Sequence, residues 1–292
     1  MLNRRDVLNL AVAAGTTSVL LPAKGRSAVD DEVPRFRIVD TNISLFQWPF
    51  RRLPLEDPDD LVRKLRSLGI AQAWAGSFEG VLHRDIAAVN QRLADACRKR
   101  TELIPIGSIN PELPDWENDL RRCIDEHNMP GIRLHPNYHG YSIDDPRVAR
   151  LLDLANAAGL FVQISAAMED TRTQHPLVSV PDVDLAPLTK LMPALSGMRV
   201  QILNHRLRGP LLDRLAETAG VFFDTARVDS TDGVPNLVKR VPTGRVLFGT
   251  HAPFLIPEAA LIRVHESAVL DEAGLRAVLS QNAEQVLGKA NS

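Results

Sequence analysis

Between Phe36 and the C-terminal region, a short apolar run followed by a longer amphipathic stretch recurs eight times, which is the signature of parallel strands joined by crossover helices. The strand candidates are Phe36–Asn42, Ala71–Ala75, Leu103–Ile109, Gly131–His135, Leu160–Ser165, Arg199–His205, Val221–Asp224 and Arg245–Thr250. Each is apolar on nearly every residue, as a strand must be when helices cover one face and a packed interior the other. Helical patterns lie between them at 59–68, 85–100, 116–127, 146–158 and 210–219, and Gly69, Gly159 and Gly220 stand where C-terminal stops belong. Eight such units in about 250 residues predict an α/β fold of the TIM-like (β/α)8 barrel type, with a doubly wound open sheet as the alternative.

No repeat, low-complexity tract or linker divides this body, so residues 29–292 read as one domain. Residues 1–28 read differently. Arg4-Arg5 precedes an apolar run from Val7 to Leu21 that is too short and too mild for a spanning helix. The segment resembles the twin-arginine export signal, which predicts a periplasmic or otherwise exported protein with no membrane span once the signal is removed. The alternative is an N-terminal amphipathic helix. Ser27-Ala28 is small enough for cleavage, although Arg26 departs from the usual small-x-small pattern.

The chain carries 34 basic and 36 acidic groups, and loss of residues 1–28 leaves 30 against 35. Neither balance provides a basic footprint, so nucleic acid and an anionic membrane surface are excluded as natural partners. Cys97 and Cys123 are too few for a disulfide framework and lack zinc-finger spacing. Export permits a bridge between them, while their helix-like surroundings favour two buried thiols. Assembly into a homo-oligomer is left open.

In a barrel of this kind, chemistry collects where strands end and loops begin. The residues at those places are Asp40, Asn42 and Ser44; Ser77; Asn110; Arg133 and His135; Gln163 and Ser165; His205; Asp224; and His251. They predict a polar, histidine-bearing mouth above an apolar core. Burying so many polar groups without partners would cost about 1–3 kcal/mol each, which argues for a pocket.

At these positions the sequence resembles the amidohydrolase superfamily, in its amidohydrolase-related branch of decarboxylases and lactonases. The markers are Ile38-Val39-Asp40, Gly131-Ile132-Arg133-Leu134-His135-Pro136, Ile202-Leu203-Asn204-His205, Leu247-Phe248-Gly249-Thr250-His251-Ala252-Pro253-Phe254 and Asn282-Ala283-Glu284-Gln285-Val286-Leu287-Gly288. The resemblance implies a small carboxylated substrate and, by default, zinc or another divalent metal. Most of the implied ligands are exchanged. The family's Asp-x-His-x-His is here Asp40-Thr41-Asn42-Ile43-Ser44, the fifth-strand histidine position is Ser165, and the strand-eight acidic residue is His251. Amide and hydroxyl groups are poor zinc ligands.

Two arrangements follow from what remains. In the first, His135, His205 and His251, with Asp40 or Asp224, rebuild a metal site. In the second, a metal-free hydrolase opens a lactone or other activated ester. There His251 is general base, His205 polarises the carbonyl, Asp40 orients a histidine or receives a proton, and Arg133 clamps a carboxylate. His135, Asn42 and Ser165 complete the substrate-binding set. A covalent variant would make Ser165 the nucleophile, but no Gly-x-Ser-x-Gly elbow surrounds it. A different class of reading is an exported ligand-binding or scaffold protein that keeps the barrel and has lost catalysis. Outside the strand ends, His83, His127, His175 and His265 read as surface or capping residues. His139, Tyr138 and Tyr141 read as a loop over the mouth, and Trp48 and Phe50 as rim packing.

Overall fold

The computed structural model describes residues 36–265 and 269–288, so residues 1–28, read above as an export signal, lie outside the described residues. Nine parallel strand segments run through it: β1 (Ile38–Leu45), β2 (Ile70–Ser77), β3 (Leu103–Pro105), β4 (Gly107–Ser108), β5 (Gly131–Leu134), β6 (Phe161–Ser165), β7 (Val200–Leu203), β8 (Val221–Asp224) and β9 (Val246–Leu247). Their order is the sequence order, β1-β2-β3 and then β4 to β9. Ile106 interrupts the third strand, and its N–H still reaches Ala75 O at 2.9 Å, so β3 and β4 act as one broken strand.

Backbone bonds from the β9 segment return to β1: Thr41 N–H to Phe248 O at 2.9 Å, His251 N–H to Asn42 O at 2.8 Å and Ser44 N–H to Ala252 O at 2.9 Å. This closes the sheet on itself and leaves no open edge, which decides for the (β/α)8 barrel over the doubly wound sheet. At the break, Asn90 on a flanking helix replaces a strand partner. Its Oδ1 accepts from Ser108 N (2.8 Å) and its Nδ2 donates to Ser108 O (2.9 Å).

The helices are α1 (Pro58–Ser67), α2 (Ile86–Arg98), α3 (Trp116–Asp125), α4 (Pro136–His139), α5 (Pro146–Ala157), α6 (Leu188–Leu191), α7 (Gly209–Glu217), α8 (Gly233–Arg240), α9 (Pro257–His265), α10 (Glu272–Arg276) and α11 (Asn282–Gly288). Their starts follow from capping chemistry. Asp57, Asp85 and Asp145 accept first-turn N–H groups of α1, α2 and α5, and Pro58 and Pro146 occupy positions whose N–H would be unpaired anyway. The stops at Gly69, Gly159 and Gly220 have φ of 75°, 72° and 78°, the left-handed turn that glycine adopts without penalty. Between α10 and α11 a π-helical turn at Ala277–Gln281 leaves Val278 O free to accept Phe248 N–H at 3.0 Å.

Inside the barrel the layers differ in chemistry. Near the strand starts, Val39, Trp74, Ile106, Phe161 and Leu247 form a buried apolar floor, with Trp74 and Phe161 rings 4.7 Å apart. Beyond the strand ends, Trp48, Phe78, Val81 and Met168 form a second apolar cluster, joined by Phe50, Tyr138 and Phe254. Polar side chains fill the space between. Cys97 and Cys123 are separate buried thiols.

Candidate active site

Strict alternation along β1 would turn Asp40, Asn42 and Ser44 one way and Thr41 the other. The pairing of β1 with β2 instead slips between Asp40 and Ile43, and both Thr41 and Asn42 bond across the interior. Thr41 Oγ1 accepts from Gln201 Nε2 at 2.7 Å, and Asn42 Nδ2 donates to Asn204 Oδ1 (2.8 Å) and Asp224 Oδ2 (2.7 Å). Gln163 links the same layer, donating to Thr41 O and Gln201 Oε1, both at 2.8 Å. Asp40 accepts from Thr250 Oγ1 (2.5 Å), Thr250 N (3.0 Å) and Asn42 N (3.0 Å). These groups form a densely bonded polar belt that ties β1, β6, β7, β8 and β9 together, with Asn42 Oδ1 its one member atom left without a partner among the described residues.

The belt's carboxylates are shielded from water. Burial raises Asp40 to about 6, against the hydrogen bonds from Thr250 and Asn42. Burial raises Asp224 further, to about 7, opposed by its bonds from Asn42, Asn204 and Ala226. Both carboxylates accept bonds that hold neighbouring strands together.

Arg133 lies just above. Its guanidinium is 2% exposed and donates from Nε to Gln163 Oε1 (2.9 Å) and from Nη1 to Ile43 O (2.9 Å) and Ser44 Oγ (3.2 Å). Gly76 makes the room: a Cβ there would stand 2.5 Å from Nη1. Burial lowers the guanidinium to about 10, with Asp224 and Asp40 pulling the other way, so it stays charged at neutral pH. Its Nη2 is enclosed and has no partner among the described residues.

Two imidazoles lie near enough to Arg133 for its charge to act on them. The His135 ring is 1% exposed and makes no hydrogen bond, with Nδ1 fully enclosed. Burial holds it well below the usual imidazole range, and the charges of His139, Arg133 and His251 add to the effect. His251 sits at a left-handed backbone position, φ 59°, and its Nε2 meets Met168 O at 2.8 Å. A carbonyl only accepts, so Nε2 carries the hydrogen and Nδ1, enclosed and unpartnered, keeps a lone pair. Burial lowers His251 to about 3, opposed by the Met168 bond and aided by Arg227 and Arg133. Its ring stacks on Phe254 at 5.0 Å, and Trp48 packs edge-on against Phe254 at 5.1 Å.

Two expectations are corrected here. His205 does not join the other imidazoles: its Nε2 donates to Asp224 O (3.1 Å), its Nδ1 accepts from Leu207 N (3.4 Å), and both ring nitrogens are thereby used. It borders a separate cavity of about 270 Å³ together with Arg227. Nor does Ser165 touch an imidazole. Its hydroxyl lies 3.2 Å from Ala167 O and from Met168 Sδ and accepts from Asn204 Nδ2 at 3.4 Å. It is a belt member without an adjacent base.

The same geometry tests the divalent ion. Among the described residues no three histidine, cysteine, aspartate or glutamate side chains converge as ligands. Asp40 and Asp224 accept bonds within the belt, both His205 ring nitrogens are engaged, and the charged Arg133 guanidinium acts on both carboxylates. The residues therefore do not fit the ion, and no step is derived through one.

The loop after β6 supplies functional neighbours that strand-end reading does not mark. Met168 O fixes the His251 tautomer. Glu169, 5% exposed, pairs with Arg51, which lies 5.2 Å above the Phe254 ring. Asp170 gathers Arg206 (2.7 Å) and Arg227 (3.9 Å). An acidic pair four residues beyond a strand is the one sequence signal that could have drawn attention to this loop.

Comparison with known proteins agrees with this architecture. A 5-carboxyvanillate decarboxylase from Novosphingobium aromaticivorans, solved with manganese and 4-hydroxy-3-methoxy-5-nitrobenzoic acid, superposes with a TM-score of 0.68 at 13% identity, covering 87% of this chain and 96% of that one. A 2,6-dihydroxybenzoate decarboxylase from Rhizobium gives 0.65 at 14% identity over 85% and 99% of the two chains. The apo IDCase of Metarhizium anisopliae gives 0.66 at 14% identity over 87% and 97%. At such identities the likeness speaks for the fold alone. No curated protein matches the chain. The family model described as Amidohydrolase matches residues 39–289, nearly the whole barrel, and the chain therefore belongs to the amidohydrolase family.

Proposed function

We propose that the protein is a hydrolase that opens a small carboxylated lactone or similarly activated ester without using a metal. One observation carries this reading: Arg133 Nη2, His135 Nδ1 and His251 Nδ1 lack hydrogen-bond partners among the described residues although all three side chains are buried at the strand ends. Unsatisfied buried polar atoms are costly in a folded protein unless a ligand completes them.

The roles follow from the chemistry of each atom. Arg133 presents two N–H groups from Nη2 to a substrate oxyanion or carboxylate. His251 Nδ1 accepts a proton from the attacking water as the water oxygen bonds to the acyl carbon. The tetrahedral oxyanion is held by Arg133 and a His135 N–H. When the acyl C–O bond breaks, the His251 imidazolium returns its proton to the departing oxygen, which restores the neutral ring. A base held near 3 is weak in the empty site, and an anionic substrate beside it raises its proton affinity on arrival. The rings of Trp48, Phe78 and Phe254 provide an apolar wall suited to a flat ring, and the carboxylated aromatic substrates named for proteins of similar fold support that choice.

The test is a hydrolysis screen of carboxylated lactones and esters with the purified full chain, following ester cleavage and carbon dioxide separately. Ester cleavage lost in His251→Asn and His135→Asn is the expected result. Carbon dioxide release without cleavage would replace hydrolysis by decarboxylation, and activity unchanged in both variants would remove the imidazoles from the reaction.

A further inference from the structure

The cavity of about 270 Å³ beside β7 and β8 shares no lining residue with the Arg133–His135–His251 cluster and has a chemistry of its own. Arg206, Arg208, Arg227 and Arg240 line it, against a single aspartate, Asp229, which is committed to Arg263. Arg206 and Arg240 are partly neutralised by Asp170 and Asp213. Arg208 makes no ion pair among the described residues. Arg227 is the telling residue. It is 9% exposed, donates no hydrogen bond among the described residues, and its nearest carboxylate oxygen, on Asp170, stands 3.9 Å away. Burial and the neighbouring Arg206 charge both act to expel its proton. A guanidinium kept nine-tenths buried, beside a second one and without a bonded acceptor, pays a desolvation cost that an arriving anion would repay. Helices α7 and α8 begin at the same cavity, at Arg208 and Gly233, and neither has a side-chain cap. The positive ends of their helix dipoles add a favourable field for negative charge.

We infer that this cavity is an oxyanion-binding site for a phosphate or carboxylate group, anchored by Arg227 and assisted by Arg208. It goes beyond the proposed hydrolysis, because its residues take no part in the proton transfers assigned to the central cluster. A free or esterified phosphate and a second carboxylate of the substrate share the chemistry that these arginines recognise.

Isothermal titration of the full chain with inorganic phosphate and, separately, malonate separates the two sources. Saturable binding that weakens as salt is raised is expected for at least one of them, and the anion bound more tightly identifies the group. Arg227→Gln should weaken it about tenfold or more and Arg208→Gln severalfold, as loss of charge-assisted bonds does. Asp229→Asn should tighten binding, which keeps the test decisive should Arg227→Gln fail to fold. Absence of saturation by both anions below about 10 mM would overturn the inference. So would binding that is unchanged in Arg208→Gln and Asp229→Asn but abolished in Arg133→Met, because that result places the anion in the central cluster.

Discussion

The polar belt and the cluster above it are both buried, yet the cluster leaves a larger share of its polar atoms without hydrogen-bond partners. In the belt, Asp40, Asn42, Gln163, Gln201 and Asp224 exchange bonds of 2.5–3.1 Å with one another and with the backbone. In the cluster, Arg133 Nη2, His135 Nδ1 and His251 Nδ1 are buried with no hydrogen-bond partner among the described residues. Burial alone therefore does not separate structural from functional polarity in this barrel. The degree of satisfaction does: a nearly completed network holds strands in register, and a more open one waits for a partner.

That contrast can be broken most directly by comparing activity with stability at one position in each region. His251→Asn should lower kcat/KM for a competent ester by about 10²–10⁴ and cost only about 1 kcal/mol in stability, since it removes a proton acceptor and the single bond from Nε2 to Met168 O. Asn42→Ala should do the reverse. It deprives Asp224 and Asn204 of a shared donor and should cost about 3 kcal/mol in chemical denaturation. If the two variants gave the same pattern, the division between belt and cluster would be wrong.

Gly76→Ala probes the seam between them. The added carbon would collide with the Arg133 guanidinium, so the variant should lose about 1–3 kcal/mol and substrate affinity together. A Gly76→Ala protein with unaltered KM would show that Arg133 has no contact with substrate.

The smallest expected effect is in the pH dependence of stability. His205 and His251 remain neutral in the folded protein down to about 4 and about 3, whereas an unfolded imidazole binds a proton near 6.5. Over that interval the unfolded chain holds more protons, so their contribution is intact above about 6.5 and declines as pH falls toward 4. Asp40 and Asp224 act in the opposite sense, because their raised values let the folded state bind protons first. Subtracting the curve of His205→Gln from that of the parent removes the carboxylate part. The parent should be steeper between pH 4 and 6.5, by no more than about 1.4 kcal/mol per pH unit. Parallel curves would mean that His205 protonates freely and is less enclosed than its bonds to Asp224 and Leu207 indicate.

Much of the barrel was legible because it rests on periodicity. Val221–Asp224 forms over the residues expected, and the five expected helices fall within a few residues of their observed bounds, since caps and left-handed glycines are local signals. The break at Ile106 was not legible, because it depends on Asn90 reaching Ser108 from another element. The slip in β1 was hidden for the same reason. At the site, sequence supplies strand-end residues but not the direction of their side chains. His205 and His251 occupy equivalent strand ends, and loop backbone turns one toward Asp224 O and the other toward Met168 O. Arg227 and Glu169 lie beyond the strand ends, where no periodic pattern exists to single them out.

The positive φ at His251 also limits what this position can become. Left-handed backbone is tolerated mainly by glycine, asparagine, aspartate and histidine, so a randomised library would be expected to return folded clones concentrated in those four. Aspartate and histidine are the only two of them that titrate. A swap between an acidic and an imidazole proton carrier is thus one of the few mutational steps open here that alters reactivity while sparing the main chain.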